Sequence, residues 1–190
     1  MQDQEQELKL LIKKEQAQNL LKNLPIQETR HQVNTYYDTP DKALRQKLNA
    51  FRLRELPNGE VILTIKKPLN ATTKYEYERA VQSKTLEGLD EEERAWANAH
   101  LEGIATIEEL QPLVRFETTR SISNQPEAEI SIDHTVFANH DDYEIEYEYR
   151  QEHDGIQRFN EILKPLGLHW ENNGATKLAR ALEDQVLSNH

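Results

Sequence analysis

The sequence predicts an α+β fold, a closed antiparallel eight-stranded β-barrel with flanking helices. Three observations predict it. Seven or eight short segments alternate polar and apolar residues with period two, and tight turns join most of them. The polar faces of several segments carry like-signed charges at i and i+2. The apolar fraction of the 190-residue chain, 36%, is low for a globular protein and fits a fold with a polar interior.

The first strand is Glu5–Lys13, where Glu5, Glu7 and Lys9 alternate with Gln6, Leu8 and Leu10. A helix over Glu15–Leu24 follows from the spacing of Ala17, Leu20, Leu21 and Leu24, and it stops before Pro25. His31–Tyr37 reads as a strand, Asp38–Asp41 as a turn and Lys42–Lys47 as a short helical piece. Ala50–Leu56 and Val61–Lys67 form a hairpin through Pro57-Asn58-Gly59. Lys74–Val81 alternates again. The acidic stretch Ser83–Leu110 reads as helix, with Asp90 or Thr85 as its cap. Pro112–Ser123, Glu127–Phe137 and Asp142–Arg150 are three further strands, and Ile156–Leu166 and Ala175–Leu187 are the last helices. No linker, repeat or low-complexity segment divides the chain, so one domain over residues 1–190 is expected.

Composition narrows the function. The chain has 23 Lys and Arg against 34 Asp and Glu, a formal net charge of −11, so a nucleic-acid or anionic-membrane partner is not expected. With no cysteine, disulfides and thiolate metal sites are ruled out. The acidic start lacks the pattern of a signal peptide, and no apolar run approaches membrane-spanning length, so a cytoplasmic location is expected. No G-x-x-x-x-G-K-[ST] loop is present, and the seven histidines show no H-x-x-x-H spacing for zinc.

The charged faces carry the functional signal. Glu5/Glu7/Lys9, Arg52/Arg54, Glu76/Glu78 and Glu144/Glu146/Glu148 each share one strand face, as do Thr64 and Lys66. Same-face neighbours lie ~7 Å apart, so like charges there repel unless a counter-charge intervenes. A phosphate chain compensates arginines, and a divalent cation compensates carboxylates. Any single pair reads more readily as a solvated outer face than as a site. The repetition over several strands, with Leu8, Leu53, Ile65, Tyr77 and Ile145 on the opposite faces, favours a charged lumen inside an apolar-coated barrel.

These residues resemble the CYTH domain, or triphosphate tunnel metalloenzyme, family, whose members include class IV adenylate cyclases, thiamine triphosphatases and inorganic tripolyphosphatases. Glu5-Gln6-Glu7-Leu8-Lys9 resembles its E-x-E-x-K motif. YYDTPDKALRQKLNAFRLRE resembles its Y-[FY]-D-T-P…R-x-R block, with Arg52 and Arg54 as the basic pair. VILTIKKP matches an L-T-x-K strand and gives Lys66, and KYEYERAV gives Glu76 and Glu78. RFETTRS gives Arg120, with Arg115 as the competing arginine, and SIDHTVF gives Asp133. YEIEYEY gives Glu144 and Glu146, with Glu146 and Glu148 as the alternative pair, and TKLARAL gives Lys177. The blocks run in order over nearly the whole chain.

The resemblance implies a β-barrel triphosphate tunnel and a metal-dependent hydrolase of a small-molecule triphosphate, with inorganic tripolyphosphate favoured. A class IV-like adenylate cyclase, a thiamine triphosphatase and a non-catalytic polyphosphate- or nucleotide-binding module are the alternatives. It implies phosphate binding by Lys9, Arg52, Arg54, Lys66, Arg120 and Lys177. It implies Mg²⁺ or Mn²⁺ held by Glu5, Glu7, Asp133, Glu144 and Glu146, since hard cations take carboxylate oxygens. Catalytic roles fall to Glu7, Lys66 and Glu78. Oligomeric state stays open, a homodimer among the options.

Overall fold

Period-two alternation becomes eight strands in the computed structural model, which describes residues 2–187, so the ends of the expected 1–190 domain lie outside the described residues. The strands are β1 (Gln2–Ile12), β2 (Glu28–Asp38), β3 (Ala50–Glu55), β4 (Val61–Pro68), β5 (Thr73–Val81), β6 (Gln111–Asn124), β7 (Ala128–Val136) and β8 (Asp141–Tyr149). They close into a barrel in the order β1-β5-β4-β3-β2-β6-β7-β8, every pairing antiparallel. The helices are α1 (Lys14–Asn23), α2 (Ala43–Gln46), α3 (Glu91–Leu101), α4 (Gly155–Leu163) and α5 (Lys177–Leu187). No helix among the described residues is long and apolar enough to cross a membrane.

Local chemistry sets the joints. The β3–β4 hairpin turns through Gly59 at φ +86°, a left-handed conformation that glycine adopts without steric cost. Asp38 accepts hydrogen bonds from the N–H groups of Thr39, Leu44 and Arg45 at 2.8, 3.0 and 3.1 Å, which folds the one-turn α2 back against the barrel. The acidic stretch 83–110 is not one helix. Only Glu91–Leu101 is α-helical, between 3-10 turns at Leu86–Gly88 and Ile107–Glu109. Asp90 accepts from Glu93 N–H at 2.8 Å while Glu93 accepts from Asp90 N–H at 3.0 Å, a reciprocal cap that starts α3 there. Left-handed Glu102 and Gly103, at φ +50° and +73°, end it.

The apolar faces point out of the barrel and are covered by helices. Leu8, Ile130, Ile132, Ile145 and Tyr147 pack with Ala17 and Leu20 of α1 and Phe159 and Leu163 of α4. Phe51, Leu53, Leu63 and Ile65 pack with Ala97 and Leu101 of α3. Each fully buried side chain of this kind stabilises the fold by ~1.5–3 kcal/mol. A third cluster differs. Cross-strand register puts Val114 opposite Tyr36 and Phe116 opposite Asn34, on the same face as Arg52 and Arg54. Ala181 and Leu182 of α5 cover them, so α5 packs over the lumen-facing side at one end of the barrel.

Candidate functional site

Register places the charged residues on one inner surface. Arg52 stands opposite Tyr36 and Thr64, Lys66 opposite Glu76, Arg120 opposite Asp133, Asp133 opposite Glu144, and Lys9 opposite Glu146. Glu7 stands opposite Glu148 and Glu5 opposite Lys74. Cross-strand partners share a face, so these side chains all enter the lumen.

One side of the lumen is acidic. Carboxylate oxygens of Asp133, Glu144 and Glu146 lie within 4.8 Å of one another, and all three residues are buried. Two cations hold them together. Arg120 makes a forked contact with Asp133, Nε to Oδ1 at 2.8 Å and Nη2 to Oδ2 at 2.6 Å, and reaches Glu146 at 2.5 Å. The Lys177 ammonium contacts all three carboxylates, Asp133 Oδ2 at 2.9 Å and Glu144 and Glu146 closer still. Arg180, one turn further along α5, donates to Asp142 at 2.7 Å and Glu144 at 3.0 Å.

The charge balance within this cluster is uneven. Burial works against the Asp133 and Glu146 anions, but Arg120 and Lys177 outweigh it and hold both carboxyls below their ordinary range, Glu146 well below. At Glu144 burial wins over Lys177 and pushes the carboxyl up. Lys177 is the mirror case: burial opposes its charge, but Asp133, Glu144 and Glu146 hold the ammonium well above its ordinary value. Three buried hard-oxygen donors this close could hold a hard divalent cation.

The facing side is basic and incompletely paired. Arg52 donates to Thr64 Oγ1 at 3.0 Å and lies 3.7 and 3.8 Å from Glu76 and Glu78. Lys66 pairs with Glu5 at 2.6 Å and Glu76 at 3.4 Å. Arg54 donates only to the neutral Asn34, at 2.9 Å, with no ion pair among the described residues. Burial, then repulsion from Arg52 and Arg120, pulls its guanidinium down to about 9. Among the described residues the buried nitrogens Arg30 Nε, Gln32 Nε2 and Arg52 Nε have no hydrogen-bond partner, although the Arg30 guanidinium also lies 3.6 Å from Glu28. Buried donors without acceptors are rare and costly. These three stand on the same inner surface as Arg54, a gathering of positive charge and open donors that could hold an anion.

Residues 3–175 match the model of the CYTH domain. The chain belongs to the CYTH family. It is 27% identical over 189 residues to the Bacillus subtilis protein named "Putative triphosphatase YjbK", with 98% of each chain covered. A solved structure from Bacillus halodurans, described as a putative adenylate cyclase, is 26% identical with a TM-score of 0.77, covering 94% of this chain and 97% of that one. A Hippeastrum protein, HpAC1, described as a putative adenylyl cyclase with a dominant triphosphatase activity, shares the fold at 23% identity and a TM-score of 0.71 over 97% of this chain and 96% of its own. Membership and these relatives support an enzyme of triphosphatase or cyclase type acting on triphosphates, in a family that depends on metal in general.

Within this CYTH barrel the residues singled out in the sequence converge. Lys9, Arg52, Arg54, Lys66, Arg120 and Lys177 all face the lumen, and Glu144 and Glu146 join Asp133 in one cluster. Glu148 points the same way but stands apart, facing Glu7 and Glu129. Glu5 and Glu7 lie on the neighbouring strand, engaged with Lys66 and with Lys9 at 2.6 and 3.1 Å. Glu78 is the most open of the set, with its side chain 48% exposed at the rim and its carboxylate accepting from Thr64. Arg115 is excluded from the lumen: it sits outside, paired with Glu117 at 3.4 Å.

Several lumen residues escaped the sequence reading. Lys74 and Asp142 lie two residues from recognised positions, and simple continuation of the alternation finds them. Arg180 lies three residues after Lys177 on the same helix face, a signal present in TKLARAL. Arg30, Gln32 and Asn34 carried no such flag, since mixed polar residues on a strand look like a solvated face.

Proposed function

We propose that this protein is a metal-dependent triphosphatase that hydrolyses inorganic tripolyphosphate inside the barrel. The observation that carries the proposal is a basic wall with donors left open among the described residues, Nε of Arg52 and Arg30 and Nε2 of Gln32 beside Arg54, facing the buried carboxylates Asp133, Glu144 and Glu146 in one lumen. An extended anion needs the first, and a hard cation needs the second.

Arg52 and Arg54 present forked donors that suit phosphate oxygens bidentately, while Lys9, Lys66, Arg120 and Lys177 supply further positive charge along the chain. Asp133, Glu144 and Glu146 would hold Mg²⁺ or Mn²⁺, with Glu5 and Glu7 on the adjoining strand completing the acidic wall. A cation held there would supply Lewis-acid polarisation of phosphate oxygens and offset charge in the transition state. In hydrolysis a water oxygen bonds to the terminal phosphorus, the P–O–P bond breaks, and phosphate and pyrophosphate leave. Lys66 offsets charge on the departing group. Glu7 and Glu78 are the carboxylates that orient water and accept its proton. The work is positioning and electrostatics, as in phosphoryl transfer generally.

The inorganic substrate is preferred over a nucleotide because α5 occupies the apolar end. Tyr36 and Phe116 stack on each other at 5.6 Å and pack with Leu178, Ala181 and Leu182, so these rings are already engaged and offer a base a poor platform. A cyclase reading has the Bacillus halodurans relative's description in its favour, and the products decide. The cysteine-free, acidic chain accords with a cytoplasmic setting.

The test is to incubate purified protein with tripolyphosphate, thiamine triphosphate and ATP under Mg²⁺, Mn²⁺ and EDTA, and to identify products. Metal-dependent release of phosphate from tripolyphosphate, fastest of the three, is expected. Cyclic nucleotide as the main product, or full turnover in EDTA, overturns the reading.

A further inference from the structure

β1 changes partner in mid-strand. Gln2–Gln6 pair with β5, and Glu7–Ile12 pair with β8. Glu7 N–H still donates to Thr72 O at 2.9 Å, just ahead of the start of β5. Past that point, among the described residues, no strand completes the edge of β1 facing β5. The next groups on this edge are the Glu7 carbonyl and the Lys9 N–H, and one side chain meets both. Asn173 donates from Nδ2 to Glu7 O at 2.9 Å and accepts at Oδ1 from Lys9 N–H at 2.8 Å. The carboxamide stands in for a peptide unit of an absent strand.

Its orientation is fixed. Asn173 Oδ1 also accepts from Trp170 Nε1 at 3.0 Å. A flipped amide would set its NH₂ against two donors and its oxygen against a carbonyl oxygen, so one orientation alone satisfies all three partners. Trp170 is anchored in turn. Its backbone N–H donates to Asn160 Oδ1 on α4 at 2.7 Å, and its ring is buried beside Leu8, Ile12, Phe159 and Leu163. A chain of contacts therefore runs from α4 through Trp170 and Asn173 to the backbone of β1. It ends at the two residues whose side chains enter the lumen there, Glu7 and Lys9, which contact each other at 3.1 Å.

We propose that Asn173 is a positioning residue for triphosphate binding: by completing the hydrogen bonding of β1 it fixes where Lys9 presents its ammonium, with Trp170 setting the amide's orientation. A strand edge without partners frays, and a small backbone shift at Lys9 is magnified at the end of its long side chain. The proposal rests on Lys9 as a phosphate ligand, and two kinds of readout separate the failure of one from the failure of the other.

The kinetic test measures kcat and KM for tripolyphosphate with Mg²⁺ in Asn173→Ala and Trp170→Phe, each alone and combined with Lys9→Met. Asn173→Ala is expected to raise KM roughly tenfold, in the range of outer-shell substitutions, with kcat changed less. Trp170→Phe keeps the buried ring and shifts KM the same way by a smaller factor. In the Lys9→Met background Asn173→Ala changes KM by less than about twofold, because the group it positions is gone. The same factor in both backgrounds, or an unchanged KM with a lowered Tm, overturns the proposal. The second readout is amide hydrogen exchange at Lys9, which needs no turnover and is expected to accelerate in Asn173→Ala. Unchanged exchange overturns the positioning role even in an active enzyme. A wild type that leaves tripolyphosphate intact overturns the functional reading, and exchange alone then decides the role of Asn173.

Discussion

Lys177 and Asp133 meet in the lumen, Nζ to Oδ2 at 2.9 Å, although one opens the last helix and the other sits in mid-strand on β7. The same ammonium touches Glu144 and Glu146. Lys177 thus stands among the carboxylates proposed to hold the metal, as their internal counter-charge.

A divalent cation entering that cluster competes with Lys177. Lys177→Met is therefore expected to bind Mn²⁺ more tightly, by about tenfold if ~1.4 kcal/mol of competition is removed. The metal-free variant loses thermal stability, because three buried carboxylates keep fewer cations, and Mn²⁺ restores it by mass action. Calorimetric titration with Mn²⁺ and melting curves check both. Weaker Mn²⁺ binding than wild type rules out competition.

Among the described residues Arg54 has no carboxylate within ion-pair distance, unlike Arg52 and Arg120. Arg54→Ala should remove a charge-assisted phosphate contact worth ~1.5–3 kcal/mol, so kcat/KM falls roughly ten- to a hundredfold. Folding stability should hold or rise, since the native state loses a buried charge that burial and the neighbouring Arg52 and Arg120 disfavour. Arg54→Lys recovers part of the loss, because the fork is missing. Unchanged kinetics with a lowered Tm would make Arg54 a structural residue.

Glu146→Gln keeps side-chain size and removes one anion from the cluster. A steep drop in kcat and a higher metal requirement are expected, with tripolyphosphate affinity largely kept by the basic wall. Steady-state kinetics across a Mg²⁺ series measure this, and wild-type kcat at low Mg²⁺ would exclude Glu146 as a metal ligand.

Glu148 makes the metal-free protein sensitive to pH. Burial, then the nearby anions Glu5, Glu129 and Glu76, pushes its carboxyl up to about 8. In the unfolded chain it ionises near its ordinary value of about 4.3. Between these values the folded state holds a proton that the unfolded state has lost, so stability falls as pH rises through the window and levels off above about 8. Glu148→Gln should flatten this dependence, melting above wild type at the alkaline end and converging with it at the acid end. Parallel melting curves at all pH values would remove Glu148 as the source.

The barrel and its charged faces were legible because period two is a local property of the chain. Glu5/Glu7/Lys9, Arg52/Arg54 and Glu144/Glu146 announce a face by spacing alone, and the match to the family's blocks supplied their order. What stayed hidden depends on residues distant in sequence. Nothing near Lys177 tells that its ammonium sits between β7 and β8. Asn173 lies 164 residues from the Lys9 N–H it meets, and its neighbours Asn172 and Gly174 make that segment look like an ordinary loop. The acidic stretch 83–110 misled for a different reason. Its composition favours helix throughout, but the reciprocal cap of Asp90 and Glu93 sets where helix begins, and Glu102-Gly103 where it ends.

The central claim is that one lumen binds a triphosphate along Arg52 and Arg54 and a divalent cation at Asp133, Glu144 and Glu146. A crystal structure with Mn²⁺ and a tripolyphosphate analogue bridged by nitrogen tests it most directly. The account predicts an anomalous manganese peak among those three carboxylates, with phosphate oxygens within hydrogen-bond reach of both guanidinium groups. Manganese and phosphate bound outside the barrel, with the lumen side chains still paired only to one another, would contradict it.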